Sequence, residues 1–518
     1  MRNLLDSMTK GMGHLTEVNL HFLACPDIGD QCLEDIKLFV MKRCKKLQRF
    51  KLVISGQILD MGGEGFVYFK SDIGQRLQNN NALSEYAGWD ERNQITAKGG
   101  ASLCRGIARY LKKLQSLTFK MAPVRIENDK KLPRAIWKMI SDPSNLQNLN
   151  FNSNDYPKVD DEHLAKVTSC IGQNLKKLQS LSLEFAYGNE ITERGYQQFA
   201  QNFFSCLPPQ LTCFALSFES SSLRIDDMIR EIGFHIAENL KSLQTLVLRF
   251  RHEDELTGRA LLELTETISK GLPSLKKLIL SFAWCEEINQ NFPLVLPEQI
   301  QQFDLYSYNP PFSIYETWKN LHRLTLSFEE CVEKKSFMDI FSEPNLAMKN
   351  LNELKLVYSQ SKKIGNKEIR TLASAIGTKL KKLTSLELGF SGCSLLTSDS
   401  LLFLGDKICR KLKKLRHLNF SFYRVGDYLN SSFIEGGIRY LASIITSRLE
   451  NLESLTLFFF CSMDETNMEE MLNELCSAIS RNLKKLKRLT LVFTLYGNPQ
   501  LKCLIREKLC HIPMLYIR

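Results

Sequence analysis

Residues 174–203, NLKKLQSLSLEFAYGNEITERGYQQFAQNF, decide how this chain folds. Leu181, Leu183 and Phe185 alternate with polar residues at the two-residue period of a strand buried on one face. Thr192 then supplies a hydroxyl N-cap, and Tyr196, Phe199 and Phe203 recur at helical spacing, which predicts an amphipathic helix. One strand, one turn and one helix are too thin to bury their own apolar faces. Such a unit must stack on copies of itself.

The copies begin at Leu15, Leu47, Leu114, Leu146, Leu178, Leu211, Leu243, Leu275, Ile300, Leu321, Leu351, Leu383, Leu415, Leu452 and Leu486. The interval from Leu47 to Leu114 is double the usual one. Residues 73–77 (IGQRL) echo residues 171–175 (IGQNL), so a degraded strand is expected near Leu83. Leu509, Ile512, Leu515 and Ile517 restate the pattern once more. The whole chain, 1–518, is therefore expected to form a single solenoid of about 17 repeats of ~32 residues, with an irregular centre at 292–350.

On these residues the chain resembles the leucine-rich repeat family, in its ribonuclease-inhibitor-like branch. The resemblance implies an α/β solenoid, a curved horseshoe with a parallel inner β-sheet and outer helices, that binds proteins along the sheet and its rims. The family's Asn or Cys after the strand is missing, since those places hold Ala186, Arg251, Ala283 and Ser391. Phe185, Phe218, Phe250, Phe282, Phe328 and Phe390 stand one residue earlier, and an inward Phe there extends the buried strand by one pair. Cys25, Cys285, Cys331 and Cys393 follow at three residues, in a loop longer than the family's.

Composition narrows the function classes. A hydrophobic content of 44% with 24% charged residues is that of a folded domain, and no run approaches the roughly 18 apolar residues of a membrane span. The opening MRNLLDSMTKGMG lacks the apolar core of a secretory signal. The 15 Cys are odd in number and follow the repeat, with no C-x-x-C, so they read as reduced thiols in a cytoplasmic protein. Residues 8–15 (MTKGMGHL) parallel 268–275 (ISKGLPSL), so the chain opens at the end of a repeat's helix. Either a short helix caps the solenoid there, or an upstream segment or a partner covers it.

No catalytic, cofactor or metal constellation emerges. Residues 61–70 (MGGEGFVYFK) mimic a kinase glycine loop, but neither H-R-D nor D-F-G follows. His21, Cys25 and Cys32 make a poor metal set, split between loop and helix. The shortened intervals around Ile300 and Leu321, with Pro310 and Pro311, leave no room for a full helix. Tyr306, Tyr308, Phe312, Tyr315 and Trp318 crowd that centre. They either fill the gap left by the helix or form an exposed binding surface.

Two charge patterns remain. Lysine pairs precede the strands at Lys45 and Lys46, Lys112 and Lys113, Lys176 and Lys177, Lys381 and Lys382, Lys413 and Lys414, and Lys484 and Lys485. Stacking sets them in a row along one rim, where lysines complement helix C-termini. The dipole accounts for their sign but not for the doubling. Acids such as Glu190, Glu193 and Glu286 gather on the other rim. The outward strand positions are mostly neutral, including Asn148, Asn150, Ser180, Ser182, Thr325 and Asn419, with charges at Arg49, Arg249, Arg323, Arg416 and Arg488. That face suits a folded protein partner better than nucleic acid. The sequence thus points to a non-catalytic protein-binding scaffold. The alternatives are an adaptor whose lysine rim takes acidic protein tails, anionic lipid or nucleic acid, and a GTPase-activating accessory protein acting through Arg49.

Overall fold

The structure, a computed structural model, describes residues 13–23, 28–55, 95–120, 131–141, 145–152, 160–185, 191–219, 225–251, 256–282, 285, 294–307, 316–328, 348–361, 363–423, 432–460, 465–493 and 505–517. They fall into two compact units, Met1–Glu253 with Gly271–Ser274, and Asp254–Lys270 with Leu275–Arg518.

In the first unit lie β1 (Glu17–Leu23), β2 (Arg49–Ser55), β3 (Ser116–Lys120), β4 (Asn148–Asn152), β5 (Ser180–Phe185), β6 (Cys213–Glu219) and β7 (Thr245–Arg251). The second holds β8 (Lys277–Phe282), β9 (Gln302–Ser307), β10 (Arg323–Phe328), β11 (Glu353–Ser359), β12 (Ser385–Ser391), β13 (His417–Tyr423), β14 (Ser454–Phe460), β15 (Arg488–Phe493) and β16 (Met514–Ile517). The 16 strands form one parallel sheet in chain order. Among the described residues helices lie between most successive strands, which is the architecture of an α/β leucine-rich-repeat solenoid.

Register follows the leucines. Leu149 pairs with Leu181 and Phe151 with Leu183, so every inward position meets its counterpart in the next repeat. One row further, the phenylalanines stack ring on ring. Phe185 and Phe218 lie 5.2 Å apart, and in the second unit Tyr358, Phe390, Phe422 and Phe459 continue a column at 5.9, 5.6 and 5.4 Å. All six phenylalanines expected to face inward are buried. Each contributes about 2 kcal/mol by leaving water. The helix Glu193–Cys206 closes this layer, setting Tyr196 and Phe199 edge-on against Phe218.

A doubled interval of chain separates β2 from β3. Arg49 pairs with Ser116 and Phe50 with Leu117, so the two strands are direct neighbours with none inserted. The strand expected near Leu83 falls in 56–94, outside the described residues. In the irregular centre a short 3-10 helix, Glu316–Asn320, stands where other repeats carry a full helix. Trp318, fully buried, packs edge-on against Phe303 at 5.7 Å and fills the missing layer.

On the side where strands end, one side-chain device joins neighbouring repeats and another fixes the loop within its own repeat. Asp161 accepts from the backbone N–H of Thr192 at 2.7 Å and from its hydroxyl at 2.6 Å, while Thr192 Oγ1 caps Gly195 N. Asp30 repeats this clasp on Thr96 and Gly99. Only glycine fits there, because a Cβ at Gly195 would meet Asp161 Oδ1 at 1.9 Å. In the loop, Cys285 and Cys393 are buried, and Cys393 Sγ turns onto Ser391 O at 3.8 Å. Ser361 takes the same place after Tyr358, donating to Ser359 O at 3.4 Å. A buried Cys or Ser thus recurs three residues past the ring, at Cys285, Ser361 and Cys393. Cys25 and Cys331 lie outside the described residues.

Candidate functional site

The solvent face of the sheet carries the charges expected on it, but most are already paired across strands. Arg49 donates to Glu17 on β1 at 2.7 Å through Nε, which holds that carboxyl below the usual carboxylate range. Arg249 reaches Glu184 at 4.0 Å, Arg323 reaches Glu353 at 3.7 Å, and Lys355 reaches Glu387 at 3.1 Å. Arg416 and Lys487 converge on Glu453 at 3.8 and 2.8 Å. Hydrogen bonding from Lys487, then its charge, lowers the Glu453 pKa. These arginines are therefore not unoccupied docking points. Arg488 is exposed, and no ion pair involves it among the described residues.

The central aromatics divide. Trp318 is 0% exposed and belongs to the core, so it is corrected from candidate contact to packing residue. Tyr306, on the solvent face of β9, is only 9% exposed and offers little surface. Tyr308 lies outside the described residues.

The lysine rim resolves into specific bonds. The first lysine of a pair turns back on its own helix: Lys176 Nζ donates to Gly172 O, Lys381 Nζ to Gly377 O, and Lys484 Nζ to Ser480 O. Each satisfies a C-terminal carbonyl that the helix leaves without a partner. The second reaches one repeat back. Lys177, Lys382 and Lys485 each place Nζ 2.7 Å from the Oδ1 of Asn145, Asn350 and Asn451. The asparagines in turn donate backwards, Asn350 to Lys319 O and Asn451 to Lys413 O, both at 3.2 Å. The doubling that the helix dipole leaves unexplained thus has a cause. One lysine caps a helix and the other joins two repeats.

The exceptions follow from register. Lys113 stands opposite Lys46, and Lys414 opposite Lys382, where the clamped lysines face asparagine. No amide oxygen is in place to receive them. Lys112, Lys113, Lys413 and Lys414 are all exposed. Of the acids expected on the opposite rim, Glu193 is exposed in the first turn of its helix, while Glu190 and Glu286 lie outside the described residues.

A surface that the sequence reading passed over lies on the solvent face of β13–β16. Phe458 stands opposite Ser421 and Val492, and its ring lies 6.0 Å from Tyr423. On β16, Met514 is 64% and Tyr516 54% exposed, opposite Arg488 and Thr490. The alternation that assigns Leu457 and Leu491 inward assigns Phe458 and Val492 outward, so the signal was present in the sequence. Elsewhere on the solvent face Val247, Ile279 and Val357 are apolar too, but buried by their neighbours.

Among the described residues no cluster of three or more His, Cys, Asp or Glu could hold a metal ion, and no helix is long and apolar enough to cross a membrane. No family model matches the chain, and no curated protein does. Among solved structures, the yeast complex of Rad7 and Elc1 aligns over 90% of this chain and 83% of its own, at 15% identity and a TM-score of 0.40. The leucine-rich repeat-containing protein LegL7 from Legionella pneumophila aligns over 70% of this chain and 97% of its own, at 14% identity and a TM-score of 0.38.

Proposed function

We propose that this protein is a non-catalytic protein-binding scaffold of the ribonuclease-inhibitor-like branch, acting in the cytoplasm, and that it docks a protein partner on the solvent face of β13–β16. The observation that carries the reading is the exposure of Met514 and Tyr516 beside Phe458, Val492 and Arg488 on one rigid sheet face. Tyr, Met and Arg are enriched at protein interfaces relative to the rest of the surface, and Tyr and Arg are enriched among the side chains that carry most of the binding energy. The buried thiols support a reducing compartment. Burial pushes Cys104, Cys409 and Cys476 up to about 12, so they remain protonated and pack as small apolar groups.

The test compares proteins captured from native lysate by the wild type and by the double variant Phe458→Ser, Tyr516→Ser. A partner held by the wild type and lost by a variant of unchanged melting temperature is expected. Identical partner sets would contradict the reading.

A further inference from the structure

Strand β16 stands last in the sheet, and among the described residues no strand pairs with its far side. Its near side is engaged. Met514 pairs with Arg488 and Tyr516 with Thr490, and Met514 N donates to Lys487 O at 3.1 Å. Along a parallel strand the N–H and C=O of one residue face one neighbour, and those of the next residue face the other. The N–H and C=O of Leu515 and of Ile517 therefore point away from β15. The side chains show the same open edge: Leu455 and Leu489, the counterparts of Leu515 on β14 and β15, are 0% exposed, whereas Leu515 is partly exposed.

Charge distinguishes this edge from the one at β1. Residues 481–518 hold nine Lys and Arg against a single acid, Glu507, in a chain of 68 basic and 57 acidic residues. Arg481, Lys484, Lys485, Arg488 and Arg506 are exposed. Lys484 and Lys485 donate to neutral oxygens of Ser480 and Asn451, which orient an ammonium without neutralising it. Strand β1 instead exposes Glu17, Asn19 and His21 on its solvent face, and residues 1–23 balance two basic residues with two acidic ones.

We infer that β16 takes an extended segment of the partner protein as an added strand, and that this segment alternates apolar with acidic residues. The inference rests on the docking proposed for β13–β16 and names what the partner brings to it. An open strand edge is matched by the backbone of another peptide, whose donors and acceptors repeat at the same period. A nucleic acid supplies phosphates to a basic surface but no such ladder. On the added strand, apolar side chains cover Leu515, while acidic ones on the solvent face lie in the field of the basic repeat.

The experiment measures fluorescence anisotropy of a labelled octapeptide of alternating Val and Glu. Wild type should bind it about tenfold more tightly than the same peptide with Lys for Glu, and binding should weaken as salt rises past 0.1 M, where the screening length is ~10 Å. Two further peptides carry N-methyl groups on every Val or on every Glu, so each loses the donors of one edge only. One should bind about tenfold more weakly and the other like the parent; equal binding of both would overturn strand addition. Leu515→Pro removes an N–H that faces away from β15 and should also weaken the parent peptide about tenfold. The N-methyl peptides read the same edge on unmodified protein. Tighter binding of the Lys peptide, or binding of a single-stranded oligonucleotide or phosphatidylserine vesicles in place of the Glu peptide, would overturn the ligand class. So would self-association that Leu515→Pro abolishes, without peptide binding, since the occupant would then be a second copy of the chain. A native partner kept by Leu515→Pro but lost by Phe458→Ser, Tyr516→Ser would overturn strand addition and leave the docking face standing. A partner kept by both variants would overturn the docking face itself.

Discussion

Lys485 reaches back across one repeat to set its ammonium 2.7 Å from Asn451 Oδ1, while the same asparagine donates to Lys413 O on the repeat before. The pair is a joint between three successive turns. Lys485→Ala and Asn451→Ala should each lower stability by about 1 kcal/mol, the range of an exposed charge-assisted bond. Lys414→Ala, which breaks no such joint, should lie within about 0.5 kcal/mol of wild type. Chemical denaturation of the three variants checks the difference, and equal losses would mean that the joint contributes nothing.

The clasp between Asp161 and Thr192 is tested through glycine. In Gly195→Ala the new Cβ would meet Asp161 Oδ1 at 1.9 Å, so the carboxylate must leave and two hydrogen bonds are lost. A destabilisation of about 2 kcal/mol is expected. Introduced into Asp161→Ala, the same substitution should cost much less, giving a coupling energy above about 0.5 kcal/mol in a double-mutant cycle.

Much of this was legible in the chain. The Leu and Phe alternation fixes which strand residues face the helices, and Thr192 announces a cap that the structure places on Gly195 N. The joints were not legible, because they depend on register between repeats. Lys177 and Lys414 look alike in sequence, and only the residue one strand back, Asn145 for one and Lys382 for the other, separates clamped from unclamped. Nor does spacing give the pairing after β2, where a doubled interval separates two strands that are direct neighbours, Arg49 pairing with Ser116. The outward aromatics were missed for a different reason. The two-residue period places Phe458 and Tyr516 outward, but it does not say which outward side chains their neighbours leave exposed.

The network around Glu453 makes a pH prediction. Lys487, with Arg416 and His417 adding to it, lowers the folded-state pKa below the ordinary value of 4.5. A group whose folded pKa is depressed stabilises the fold above its unfolded value, and that contribution disappears as pH falls through the folded value. Glu453→Gln should therefore be less stable than wild type at neutral pH and converge with it in acid. An NMR titration should place the Glu453 midpoint below 4.5 in wild type and nearer to it in Lys487→Ala. A midpoint unmoved by that substitution would contradict the assignment.

The claim that a partner docks on the solvent face of β13–β16 is tested most directly by hydroxyl-radical footprinting with and without the captured partner. Met514, Tyr516 and Phe458 are oxidisable side chains on that face, and Phe234, 55% exposed on the helix Ile225–Asn239 of the first unit, serves as the reference. Partner binding should suppress oxidation of Met514, Tyr516 and Phe458 and leave Phe234 unchanged. Protection of Phe234 with undiminished oxidation of Met514 and Tyr516 would contradict the account.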